Sequence, residues 1–128
     1  MLTGQCLCGA ITYRVKGEPT RVSYCHCVEC RRFTGSPVLI GALVNRDVFE
    51  MTGTPLQYRS SRHGIRQFCG NCGSSLFYSF ENYPTRIEIL VGTLDDASTV
   101  LPSFHGFYSE RIPWFEVSDT LPRWRAMP

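Results

Sequence analysis

Lysine is nearly absent from this chain: Lys16 is alone among thirteen basic residues, and the other twelve are arginines. Against eleven acidic residues the surplus is only +2, which is too small to draw in nucleic acid or an anionic membrane through bulk charge. We therefore expect neither as a partner. The arginine bias suits fork-like recognition of carboxylates, although a GC-rich genome would produce the same bias.

Long apolar runs are missing too. The longest stretch, Val38 to Val44, is broken by Gly41, and the start, Met1-Leu2-Thr3-Gly4-Gln5, has no basic segment leading into an apolar one. The expectation is a protein with no signal peptide and no membrane span, residing in the cytoplasm. No repeat of fixed period, no low-complexity linker and no convincing long amphipathic helix can be found. With 128 residues, 43% of them hydrophobic and 19% charged, the composition is that of one globular domain, read here as 1–128.

What is present is mostly β patterning. Ala10–Val15, Leu56–Ser60, Ser75–Phe80 and Arg86–Val91 alternate or enrich β-branched and aromatic residues, and Val38–Val44 reads as a buried strand. Arg62-His63-Gly64 looks like a hairpin tip ahead of Ile65–Phe68. Arg31–Pro37 reads as a short helical turn and loop, and Leu94–Ala97 as the start of one more. The aromatic tail, with Phe104, Phe107, Tyr108, Trp114, Phe115 and Trp124, is expected to cover a sheet. Short strands between turn signals predict a mainly β fold of two sheets or one strongly bent sheet.

The seven cysteines form three groups: Cys6/Cys8, Cys25/Cys27/Cys30 and Cys69/Cys72. Seven cannot all pair within one chain, and a cytosolic protein more often spends cysteines on metal than on disulfides. If Cys6 and Cys8 lie on an extended strand, both sulfurs face one side and reach one ion. In Cys69-Gly70-Asn71-Cys72-Gly73 the glycines let the chain turn about an ion. The two pairs supply the four sulfurs of a closed zinc site, which leaves Cys25, Cys27 and Cys30 as three ligands with one position open. Cys6/Cys8 combined with two central cysteines would also satisfy the count.

Three thiolates on Zn²⁺ leave a net charge of −1, so the ion acidifies a bound water less than one held by neutral histidines. Such a centre is better suited to taking up an external thiol as its thiolate. Other readings of the central trio remain. A fourth ligand could close it, with His26, Glu29, His63, His105 and Asp95 conceivable, or Cys27/Cys30 could act as a redox pair. His63 and His105 are of the type more often satisfied in a core or on a surface. Arg31 or Arg32 could pair a thiol's carboxylates, or could be a solvated surface pair.

The series Gly4-x-Cys6-x-Cys8-Gly9, Cys25-His26-Cys27-x-x-Cys30-Arg31 with Thr34-Gly35-Ser36, and Phe68-Cys69-x-x-Cys72-Gly73 resembles the glutathione-dependent formaldehyde-activating enzyme family, also called the Gfa or centromere protein V family. Pro113-Trp114 and Leu121-Pro122 are similar to its C-terminal signature. The resemblance implies an Mss4-like fold of short antiparallel strands, with a structural zinc on Cys6, Cys8, Cys69 and Cys72 and a catalytic-type zinc on Cys25, Cys27 and Cys30. It implies a carbon–sulfur lyase that interconverts formaldehyde and glutathione with S-hydroxymethylglutathione. The centromere-associated relatives suggest the alternative of a non-catalytic, zinc-stabilised binding module.

Overall fold

The computed structural model describes residues 1–128. Ten strands run in order: β1 (Leu2–Gln5), β2 (Thr12–Val15), β3 (Arg21–Cys25), β4 (Leu39–Asn45), β5 (Phe49–Thr52), β6 (Leu56–Arg59), β7 (Gly64–Phe68), β8 (Ser75–Phe80), β9 (Arg86–Leu90) and β10 (His105–Gly106). The one α-helix, α1 (Val28–Thr34), lies between β3 and β4. The strands form a three-stranded sheet, β1-β2-β5, and a seven-stranded sheet, β10-β3-β4-β9-β8-β7-β6. The fold is mainly β, as the alternation predicts.

Strand alternation divides the large sheet into two chemically different faces. On one face Ala42, Val44, Phe77, Ile87 and Ile89 pack against Tyr13 and Val15 of the small sheet to form the main core. The rings of Tyr13 and Phe49 meet Phe77 edge-on at 5.2 and 5.3 Å. Phe77 has no exposed surface, and burying such a side chain stabilises the fold by roughly 1.5–3 kcal/mol. The other face carries Cys25, Leu39 and Leu90, joined by Cys30 and Phe33 from α1. Residues between the core positions of each strand, among them Glu88, Tyr78 and Arg66, belong to this second face.

The structure differs from the sequence reading at several places. β1 has no clear alternation, and it forms because its backbone pairs with β2 in register Leu2 to Val15. Cys6 and Cys8 are not on an extended strand: they sit in the β1–β2 turn, where Gly9 has φ +80°. The helix begins at Val28, inside the cysteine stretch, earlier than Arg31. Leu94–Ala97 forms no helical turn; a single 3₁₀ turn precedes it at Val91–Thr93, and Leu94 bridges to Gly4. In the tail Phe104 is buried, but Trp114 is 76% exposed. The tail adds backbone and side chains to the sheet: β10 joins the edge of β3 as the one parallel strand pairing, Phe107 packs on the Cys25–Cys30 cluster and His105 stacks on Tyr24. No helix is long and apolar enough to cross a membrane.

Candidate metal centres

The sulfurs of Cys6, Cys8, Cys69 and Cys72 gather within 4.8 Å of one another, and those of Cys25, Cys27 and Cys30 form a second such group. Each of the two outer pairs sits on a connection between neighbouring strands, β1–β2 for the first and β7–β8 for the second. The two connections are tied together by Leu7 N–H donating to Ser74 Oγ at 2.9 Å. Gly73, at φ +79°, takes a left-handed conformation that closes the second turn, and its N–H donates to Cys69 O at 2.8 Å.

The donor geometry fits a metal ion in both groups. Four sulfurs at the zinc–sulfur distance stand about 3.8 Å apart at the corners of a tetrahedron. Here Cys6–Cys8 is 3.7 Å, Cys8–Cys69 is 3.8 Å and Cys25–Cys27 is 3.4 Å. All seven cysteines are free. Backbone N–H groups point at the sulfurs, as anionic thiolates require: Ile11 at Cys6 (3.3 Å), Asn71 and Cys72 at Cys69 (3.4 and 3.5 Å), and Cys30 at Cys27 (3.3 Å).

The trio is assembled by three kinds of local structure. Cys25 ends β3, Cys27 is the N-cap of α1, and Cys30 lies in the first helical turn, buried. The helix stops at Gly35, whose left-handed φ of +67° lets its N–H cap Arg31 O at 2.7 Å. Hydrogen bonds from the Cys25 and Cys30 thiols hold the Cys27 thiol down to about 2, helped by Cys30 N–H and the charge of Arg66 and opposed by burial. Cys25 is pushed far up, first by its hydrogen bond with Cys27 and then by Cys30 and burial. Cys27 is also the least buried of the three.

No histidine or carboxylate completes this group. His26, Glu29, His63, His105 and Asp95 all lie outside the cluster, although His26 stands between two of its members. His26 instead turns into a buried chain: its Nε2 meets His105 Nδ1 at 2.8 Å, and His105 Nε2 meets Asp119 Oδ2 at 2.9 Å. Since a carboxylate only accepts, His105 Nε2–H donates to Asp119, and the tautomers of the two rings set the direction of the bond between His26 Nε2 and His105 Nδ1. Burial first, then the charges of His105, Arg123 and Arg111, push the His26 imidazole down to about 4. Burial disfavours the charge of Asp119, yet hydrogen bonds from His105, Leu121 N–H and Arg123 hold its carboxyl down to about 2.

The sequence matches the profile described as glutathione-dependent formaldehyde-activating enzyme over residues 1–110. The chain belongs to this family. Among Gfa relatives, an uncharacterized lyase of Schizosaccharomyces pombe is 33% identical over 79 residues, which are 62% of this chain and 58% of that protein. The chain thus spans less than two thirds of that relative's length. A Rhodobacter sphaeroides protein of known crystal structure shares the fold, with a TM-score of 0.62 and 19% identity over 95% of this chain and 99% of the other. The tail residues Pro113-Trp114 and Leu121-Pro122 fall beyond the residues that match the Gfa profile.

The arginine next to the Gfa trio is neither Arg31 nor Arg32. Arg31 donates to the backbone oxygens of His26 and Glu110, and Arg32 is exposed on the helix. Arg66, only 3% exposed, reaches Cys30 Sγ at 3.5 Å and lies 3.5 Å above the ring of Tyr78. Burial disfavours its charge, but the sulfur of Cys30 and the neighbouring groups raise it above the ordinary arginine value. The only signal for it in the sequence is a charge at an inward position of a short strand that runs into Cys69.

Proposed function

We propose that the Cys25–Cys27–Cys30 group is the catalytic metal centre, that the Cys6–Cys8–Cys69–Cys72 group is structural, and that both hold zinc in a single Gfa-like domain of 1–128. The reaction proposed is the reversible addition of a thiol such as glutathione to a small aldehyde such as formaldehyde, a carbon–sulfur lyase reaction in the cleavage direction. The observation that carries it is the pairing of a four-sulfur group with a three-sulfur group that no other side chain completes. Zinc at the trio would supply a cationic partner that favours the ionised form of an incoming thiol.

The chain's own residues prepare that position. Arg66 offsets the negative charge that three thiolates accumulate, so that a fourth sulfur is not repelled. Phe33 and Tyr78 flank its guanidinium at 5.4 and 3.5 Å and keep water from it, which strengthens its effect on the sulfurs. Cys27 faces outward more than its two neighbours and marks the side from which a thiol approaches. Seven unpaired cysteines suit a reducing compartment, and the proposal places the protein in the cytoplasm.

The direct test is metal analysis followed by cobalt substitution. Two ions per chain are expected, one for each group, and glutathione added to the cobalt form should change the sulfur-to-metal absorption. Protein with both ions whose spectrum ignores glutathione, and which leaves the rate of hemithioacetal exchange unchanged, would remove this reading.

A further inference from the structure

Glu88 is a buried carboxyl without a partner. It lies in the middle of β9, in the large sheet, and only 8% of it is exposed. No hydrogen bond acts on it: burial pushes its carboxyl up, the charges of Arg21 and Arg66 pull it down, and Cys27 pushes it up again. Burying a carboxylate in this way is costly unless the group is neutral or is used.

Its direction is set by a glycine. Glu88 is paired with Leu43 across β4, yet a Cβ on Gly41 would overlap Glu88 Oε1, Cδ and Cγ. The side chain therefore leans diagonally along β4, from Leu43 toward Gly41. The next residue on that face is Leu39, which pairs with Cys25. One step of alternation, roughly 7 Å along the strand, separates the carboxyl's resting place from the level of the trio. Ser23, opposite Gly41, is small and buried, so β3 sets no bulky side chain beside the carboxyl at that level, while Leu39 and Leu90 pack toward Cys25 and Cys30. Tyr78, opposite Glu88 on the other side, stacks on Arg66, which touches Cys30. The carboxyl and the trio thus share one face of one sheet, a small molecule's length apart.

We propose that Glu88 is the acid–base residue of this site, donating its proton to the aldehyde oxygen as the thiolate adds and recovering it when the adduct is cleaved. This rests on the thiol–aldehyde reading above. In the forward direction the sulfur lone pair forms the S–C bond, the C=O π pair moves to oxygen, and that oxygen takes the proton of Glu88. The carboxylate is reprotonated by the proton that the incoming thiol gives up on ionising. The sum is thiol plus aldehyde giving S-hydroxyalkyl thioether, with no further reactant. Gly41 is a positioning residue, since it provides the space the carboxyl occupies.

The experiment compares wild type, Glu88→Gln and Gly41→Ala as metal-loaded full-length proteins, using formaldehyde and glutathione as probes. Glu88→Gln keeps the shape and is expected to lower the hemithioacetal exchange rate measured by NMR on the order of 100-fold or more, while glutathione still perturbs the cobalt spectrum at wild-type concentrations. Gly41→Ala, which retains the carboxyl but displaces it, should lower the rate with thiol binding preserved. Infrared difference spectra between wild type and Glu88→Gln should show the C=O stretch of a neutral carboxylic acid at neutral pH. Full exchange activity in Glu88→Gln, or an ionised carboxylate in the spectrum, overturns the role of Glu88 and leaves the thiol reading standing. Wild type that neither binds glutathione nor accelerates exchange overturns the thiol reading, and the role of Glu88 falls with it.

Discussion

The guanidinium of Arg66 donates to Cys30 Sγ at 3.5 Å and rests 3.5 Å over the Tyr78 ring, so a strand of the hairpin leading to one sulfur group delivers its charge to the other. β7 runs from Gly64 to Phe68 and ends beside Cys69. A single short strand thereby couples the two centres: its end positions a ligand of the four-sulfur group, and its middle neutralises the three-sulfur group.

Replacing that charge while keeping its bulk separates packing from electrostatics. Arg66→Met should retain both metal ions but weaken thiol uptake at the cobalt-loaded trio by about 10- to 100-fold, the range seen when groups that support metal ligands are removed. Arg66→Lys should recover part of the loss, since it restores charge without the stacking plane. Titration of the cobalt spectrum with glutathione reads both.

The two sulfur groups should respond differently to the loss of one ligand. Cys69→Ser should release one ion and lower thermal stability sharply, because an ion held there would clamp the β1–β2 and β7–β8 turns together. Cys27→Ser should also lose one ion but leave folding largely intact while abolishing thiol binding. Metal counts with thermal melts distinguish this from a protein in which both groups are structural, where the two variants would melt alike.

Glu88 predicts a pH dependence of stability with a definite sign. Burial raises its carboxyl above the ordinary 4.5, so the folded protein keeps a proton that the unfolded chain has released. The corresponding stability is complete below the unfolded value and is lost as pH rises through the folded one. Around it stand Arg21, Arg66 and Cys27, with Tyr78 opposite and Arg86 two residues earlier on β9. Relative to wild type, Glu88→Gln should therefore become progressively more stable as pH is raised from about 5 to 8, as measured by chemical denaturation of the metal-loaded proteins.

The tail should loosen when its buried chain is cut. His105→Phe fills the same space but leaves His26 Nε2 without a partner and strips Asp119 of one of its donors, with Leu121 N–H and Arg123 remaining, at a cost of about 1–3 kcal/mol. Amide exchange should accelerate at Trp124, whose N–H donates to His105 O, and at His26, whose N–H donates to Gly106 O. The four-sulfur group, held by other strands, should keep its metal.

Arg86–Leu90 and Ser75–Phe80 were legible because their β-branched, aromatic and alternating residues suit a pleated sheet, even though Arg86–Leu90 is buried on both faces. β1 and β10 were not, because both exist through backbone pairing with a neighbour and carry no side-chain period of their own. The Cys6/Cys8 spacing reads as two sulfurs on one side of an extended strand. The structure shows the turn, since β1 and β2 are neighbours in one sheet and the chain must reverse between them.

The seven cysteines and their spacing pointed, without any fold, to two groups able to ligate metal through sulfur, because an odd number of thiols in tight clusters has few other uses. Which cysteines meet was decided by strand pairing, since Cys6 and Cys69 are far apart in the chain and come together only where their turns join. Only the tertiary structure could set Arg66 against the trio and Glu88 on the same sheet face as Cys25. A charged residue in a short strand looks the same in sequence whether it faces water or a sulfur; the sheet that carries it makes the difference.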